Sequence, residues 1–176
     1  MKELVTPANK TVIRGPVGVV KWIKCSYDRY KTVCYGTVRG CFILWRQTAE
    51  GGFEELWAHK LGKGLEILDI GASETIHNHV LIVIGTACGS VQLWRYDSNV
   101  MLNKVFSVQI EDTVPRSVTF TTSKTNSVNI TVFGFYDGRM RAAFLSLSPN
   151  FTDMFCSYTL DCEGHHLQSH SYRTLV

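Results

Sequence analysis

The sequence predicts an all-β chain assembled from one antiparallel sheet written several times over, and three observations carry that expectation. Runs of consecutive apolar, β-branched residues such as VLIVI (80–84) alternate with glycine-containing turns, the pattern of strands covered on both faces. No stretch keeps apolar residues at helical spacing for three turns. Several columns of residues recur at a constant spacing of 49.

The repeat is seen by aligning VCYGTVRGCFILWRQ from Val33, LIVIGTACGSVQLWRY from Leu81 and ITVFGFYDGRMRAAFLS from Ile130. Gly36, Gly85 and Gly134 fall in one column, and Gly40, Gly89 and Gly138 in another. Trp45 and Trp94 share a third column, where Ala143 takes the last place. Leu56, Val105 and Met154 keep the same step, as do the aromatics Trp57, Phe106 and Phe155, and Gly15 and Gly64 extend it backwards. Self-similarity at a period of this length marks supersecondary units that bury their faces against one another.

Each unit resolves into four strands in order. A first strand is expected at VVKWIKC (19–25), LEILDIG (65–71) and RSVTFTT (116–122). A hairpin follows, its two strands joined by a two-residue turn at Arg39-Gly40, Cys88-Gly89 or Asp137-Gly138. Glycine suits these turns because tight hairpins need positive φ, and Asp137-Gly138 is the strongest signal of the three. This pairing places Cys34 opposite Trp45 and Cys41 opposite Val38, so the two thiols do not face each other as a disulfide requires. An outer strand closes the unit at FEELWAHKL (53–61), KVFSVQI (104–110) and MFCSYTL (154–160). The units span about 16–62, 63–112 and 113–162 of a single domain, with 1–15 and 163–176 as partial strands or tails.

Four antiparallel strands every forty to fifty residues, with a Trp closing the third, resemble a blade of the WD-repeat β-propeller family. The resemblance rests on GTVRGCFILWR and GTACGSVQLWRYD and covers about residues 11–162. Its Trp-Asp dipeptide is replaced by Trp45-Arg46, Trp94-Arg95 and Ala143-Phe144. The turn aspartate stands only at Asp137, and Gly164-His165 is a displaced copy of the family's Gly-His pair. The polar network that these residues form in the family is therefore incomplete in every copy, which predicts blades held by packing. The fold expected is a partial β-propeller of about three four-stranded antiparallel blades. Propellers usually close with about four to eight blades, so three leave both outer faces bare. Either the chain is part of a longer propeller, or it pairs with another chain or with itself to complete the ring.

The function implied by this resemblance is a non-catalytic protein–protein interaction scaffold. The alternatives are a nucleic-acid-associated propeller subunit and a truncated gene product without independent function. Rigid blades would present rim loops to a protein partner. The rim positions expected are Arg39, Cys88, Asp137 and the stretch from Gly62 to Gly64, with Arg39, Arg46, Arg95 and Arg139 as candidate rim contacts.

Composition narrows the alternatives. Of 176 residues, 45% are hydrophobic and 19% charged, which excludes a disordered chain. The longest apolar run is far too short for a membrane-spanning helix. The start, MKELVTPANKTV, has no apolar stretch of the secretory kind, so a cytoplasmic or nuclear location is expected. The six cysteines, at 25, 34, 41, 88, 156 and 162, are then expected to be reduced and free. The sequons at Asn9, Asn129 and Asn150 carry meaning only with a secretory route.

Chemistry-bearing motifs are sparse. Cys156, Cys162, His165, His166 and His170 cluster near the C-terminus with spacing that zinc could use. No Cys-x2-Cys pair accompanies them, and the polar tail offers nothing to fix their geometry, so no metal is assigned. Gly62-Lys63-Gly64 and Gly85 to Gly89 read as turn glycines, since phosphate loops must open a helix. With no nucleophile elbow and no H-E-x-x-H, neither an enzyme nor a cofactor is expected. Glu54, Glu55, Glu66 and Asp69 read as solvated. The net charge of +3 and the absence of an aromatic-interleaved basic stripe argue against nucleic acid. Trp45 and Trp94, ending buried strands, are expected in the core.

Overall fold

The computed structural model describes residues 14–24, 29–62, 65–73, 79–97, 102–110, 114–122, 128–136, 139–147, 153–160 and 167–173. Backbone alone is described for residues 97, 120–122, 135, 136, 139–141, 153–160 and 167–173. Thirteen strands, and no helix among the described residues, arrange into three antiparallel sheets. The all-β repeat expected from the sequence is the fold.

The first sheet runs β1 (Val17–Ile23), β2 (Thr32–Thr37), β3 (Cys41–Gln47), β4 (Phe53–Lys60), each strand beside the next. The second repeats the order with β5 (Ile67–Ala72), β6 (His79–Thr86), β7 (Ser90–Asp97) and β8 (Leu102–Gln109). The third comprises β9 (Val114–Thr122), β10 (Val128–Tyr136), β11 (Arg139–Leu147) and β12 (Asp153–Leu160), and gains a fifth, outermost strand, β13 (Leu167–Arg173). The first strands of neighbouring sheets, β1, β5 and β9, approach one another, so the sheets are laid side by side as blades about a common centre. This is a partial propeller of three blades.

Both faces of the middle sheet are buried, which explains the unbroken apolar run of β6. Ile70, Ile82, Ile84, Trp94 and Tyr96 pack toward the first sheet, against Ile23, Cys34, Phe42 and Leu44. Val83, Val91, Leu93 and Phe106 point the other way, against Ile130, Val132, Ala143 and Leu145 of the third. Each such side chain withdrawn from water contributes about 1.5–3 kcal/mol, so the two seams are the main source of stability. Trp45 and Trp94 are buried, as expected.

The glycine columns have two separate physical reasons. A Cβ on Gly36 would lie 2.7 Å from Cβ of Ile67, and one on Gly85 would lie 3.0 Å from Cβ of Pro115. In both copies the missing side chain lets the first strand of the next sheet come close. Gly40 and Gly89 sit at φ of +73° and +86°, values that cost other residues strain.

The hairpin turns differ from the expectation. Gly36 faces Phe42 and Gly85 faces Val91, which leaves three residues, not two, in each connection: 38–40 and 87–89. Gly40 N–H donates to the Thr37 carbonyl and Gly89 N–H to that of Thr86, both at 3.0 Å. This is the three-residue loop that ends on a left-handed glycine. Buried threonines support both turns. Thr37 Oγ1 accepts the Cys41 N–H at 3.0 Å, and Thr86 Oγ1 donates to the Ser90 carbonyl at 3.1 Å. Cys34 consequently faces Leu44, one residue from the predicted Trp45. Cys34, Cys41 and Cys88 are free thiols.

The third copy departs from the other two. Phe135 stands where Thr37 and Thr86 stand, and Tyr136 pairs with Arg139. Only residues 137 and 138 remain in the connection; the Asp137-Gly138 turn itself lies outside the described residues. The shorter loop slips the pairing by one, so Gly134 faces Arg141 instead of Met140, the residue that matches Phe42 and Val91. A one-residue slip exchanges the faces of a strand. Val128, Ile130 and Val132 therefore take the seam, and Phe133 turns outward.

Gly36→Ala and Gly85→Ala are each expected to lower stability in urea unfolding by about 1–3 kcal/mol through overpacking. Gly52→Ala, where the added methyl would meet only Thr48 Oγ1 at 3.4 Å, is expected to change it by less than about 0.5 kcal/mol.

Candidate interaction surfaces

The four arginines expected at a rim do not share one. Arg39 is exposed in the turn before β3, and its stem packs on Gly15. Arg46 lies near the far end of β3, where it bonds Glu54 of β4 at 3.0 Å. At about 3.4 Å per residue along the strand the two rims stand some 20 Å apart. Arg95 shares the rim of Arg46, is half-buried, and its Nε has no hydrogen-bond partner. Arg139 starts β11 at the rim of Arg39, and its side chain lies outside the described residues. On the same rim Cys88 is exposed, and Gly62 lies beneath the first turn, its carbonyl oxygen 3.2 Å from where a Cβ on Gly40 would stand.

Three of the carboxylates expected to be solvated have partners. Asp69 Oδ2 accepts the Val118 N–H at 2.8 Å and Oδ1 accepts the Ile70 N–H at 2.9 Å. Among the described strands β9 has a neighbour on one side only, so this carboxylate satisfies a donor on its inner edge and ties the second blade to the third. Val20 occupies the same repeat position in the first blade, and the seam between first and second blades has no such bond there. Glu55 holds Arg14 at 2.5 Å on the outer face of the first sheet, and Glu54 holds Arg46.

An aromatic shelf closes the outer end of the first seam. Trp57 and His59, two residues apart on β4, stack at 5.1 Å and 24°. Trp94 of β7 meets both edge-on, at 5.5 and 5.4 Å. Its Nε1 donates to Gln92 Oε1 at 3.2 Å. In the first blade the position of Gln92 is Ile43, which has no acceptor, and Trp45 Nε1 is buried without a partner. Partial burial, aided by the nearby Lys104 charge, holds the His59 imidazole below its ordinary value. Deep burial pushes the Cys34 thiol up to about 12.

The two outer faces differ from each other. On the first sheet, Val33, Tyr35, Ile43, Trp45 and Ala58 form an apolar layer, flanked by exposed Val20 (56%), Trp22 (59%) and Phe53. On the third sheet the outward residues of β10 and β11 include exposed Phe133 (38%) and Phe144 (40%).

Of the C-terminal cluster, Cys162, His165 and His166 lie outside the described residues. The β12–β13 register sets Cys156 opposite His170. Among the described residues no three His, Cys, Asp or Glu side chains gather as metal ligands, and no helix is long and apolar enough to cross a membrane.

No family model matches the chain, and no curated protein matches it. Among solved structures it is similar to the β-propeller domain of Vanderwaltozyma polyspora Nup133, at 10% identity and a TM-score of 0.49. The likeness covers 99% of this chain and 53% of that one, so the chain spans about half its length.

Asp69→Asn leaves one amide oxygen for two backbone donors and is expected to destabilise by about 1–3 kcal/mol in urea unfolding. Stability should be greatest between about pH 6.5 and 9. Above pH 9 the unfolded Cys34 thiol ionises while the folded one holds its proton, so stability falls toward pH 12. Below pH 6.5 the unfolded His59 imidazole binds a proton more readily than the folded one, so stability declines there too. Urea titrations across this range, repeated on Cys34→Ala and His59→Gln, check both limbs; each variant should flatten its own limb.

Proposed function

We propose that the chain is a non-catalytic protein–protein interaction scaffold of the WD-repeat type, and that a second copy completes its ring. One observation carries this reading. The large apolar side chains left exposed on strand faces among the described residues lie on the two outer faces, and none lies in the two seams. Among the described residues, Val20, Trp22 and Phe53 stand exposed beside the buried Ile43 and Trp45 at one end of the array, and Phe133 and Phe144 at the other. Exposed contiguous apolar surface of this kind marks a site of association.

The outer face of the first sheet supports a partner of the same sort. Its residues Val33 and Trp45 match Ile82 and Trp94, which in the second sheet pack against a preceding blade. Head-to-tail contacts between two copies would set the face carrying Trp22 against the face carrying Phe133 and Phe144. Two copies of three blades give six, inside the range of about four to eight at which propellers close. The packing-held blades and the separated arginines favour a protein partner over nucleic acid.

Sedimentation equilibrium of the purified chain should show a defined dimer. Trp22→Glu and Phe144→Glu, both on exposed side chains, should each weaken it by about 30-fold or more, as central interface aromatics do. A wild-type chain that stays monomeric at high concentration would end the closure reading.

A further inference from the structure

The outermost strands of the three sheets are not treated alike. In the third sheet β12 carries an added strand, β13, through seven residue pairs from Asp153–Arg173 to Thr159–Leu167. In the first sheet β4 occupies the same position and, among the described elements, has β3 on one side and nothing on the other. Leu61 N–H donates inward to the Gly40 carbonyl at 2.9 Å. By antiparallel alternation His59 and Trp57 also bond inward, and Ala58 and Lys60 turn their N–H and C=O groups to the open side.

We propose that this edge of β4, with the aromatic shelf beside it, is a docking site for an extended segment of a partner protein that carries an aromatic residue next to an acidic one. The proposal rests on the scaffold reading and specifies the class of partner. An incoming strand would complete the β4 ladder as β13 completes that of β12, the recognition mode in which main-chain bonds supply affinity and alternate side chains supply selectivity. A residue set opposite Trp57 or His59 would fall on their stacked rings, where an aromatic side chain finds a π surface. Its neighbour in the strand would turn to the other face, beside exposed Lys60. Lys104, exposed on β8 and close enough to His59 to act on its charge, adds positive potential on the seam side. No described carboxylate is paired with either lysine.

At the opposite end of β4, Glu54 and Glu55 are held by Arg46 and Arg14, so Lys60, with no described carboxylate partner, is the charge that an acidic residue meets and that sets the register of the strand. The equivalent edge of β8 lacks these features. Gln109 Nε2 folds back onto the Cys88 carbonyl, and Phe106 is buried in the seam.

The test uses the full chain and a synthetic capped peptide, Thr-Val-Phe-Glu-Val-Glu-Thr, titrated at low salt and followed by tryptophan fluorescence and calorimetry. Saturable binding at unit stoichiometry is expected. Ala58→Pro removes an outward N–H while keeping every inward bond; it should weaken binding about tenfold or more, with the unfolding midpoint close to that of the parent. Lys60→Glu should weaken binding by a similar factor, and a peptide with Lys in place of Glu should not bind. Unchanged affinity in Ala58→Pro, or equal binding of the lysine peptide, would overturn the proposal. So would no binding at millimolar peptide. A sedimenting dimer that ignores the peptide would retain the scaffold reading and remove this one.

Discussion

The structure depends on one constraint: each sheet has two apolar faces and can hide neither by itself. Side-by-side stacking is the solution, and it works only if the first strand of each sheet can press into the hairpin of the one before. Gly36 under Ile67 and Gly85 under Pro115 are where that contact is made. The seams of Phe42 with Ile82 and of Leu93 with Ile130 close around these points. Stability thus resides between blades more than within them, and the described apolar side chains that stay exposed on strands lie on the end faces.

The sequence was legible where the repeat was regular. All four strands of each copy, the burial of Trp45 and Trp94, and the free state of Cys34 followed from spacing and alternation. The turns were one residue longer than read in two copies, because the signal lay in Thr37 and Thr86 as well as in the glycines, and the threonine hydroxyl makes the longer loop hold. The slip of β10 was hidden for a related reason. The 49-residue spacing of Gly134 is kept in the sequence while the pairing is not, and only the change of threonine to Phe135 announces it.

The surface chemistry was less legible. Asp69 reads as an ordinary acid on a strand, and nothing local shows that it meets Val118, a residue displaced from it by the full repeat. Gln92 likewise gains its meaning only from the indole of Trp94 above it. The arginines show the same limit. Arg39 and Arg46 look alike as repeat-flanking charges, yet they sit at the two ends of β3 and so at opposite rims. Sequence spacing reports which sheet a side chain belongs to more readily than which end of it.

The two seams also differ in kind. The second has a carboxylate-to-amide tie in addition to its apolar contacts; the first relies on side-chain burial and ring stacking. Apolar association weakens as water is cooled, whereas a charge-assisted hydrogen bond does not share that dependence. Chilling therefore discriminates between the joints: the N-terminal blade loosens first, while the two that follow stay coupled through Asp69.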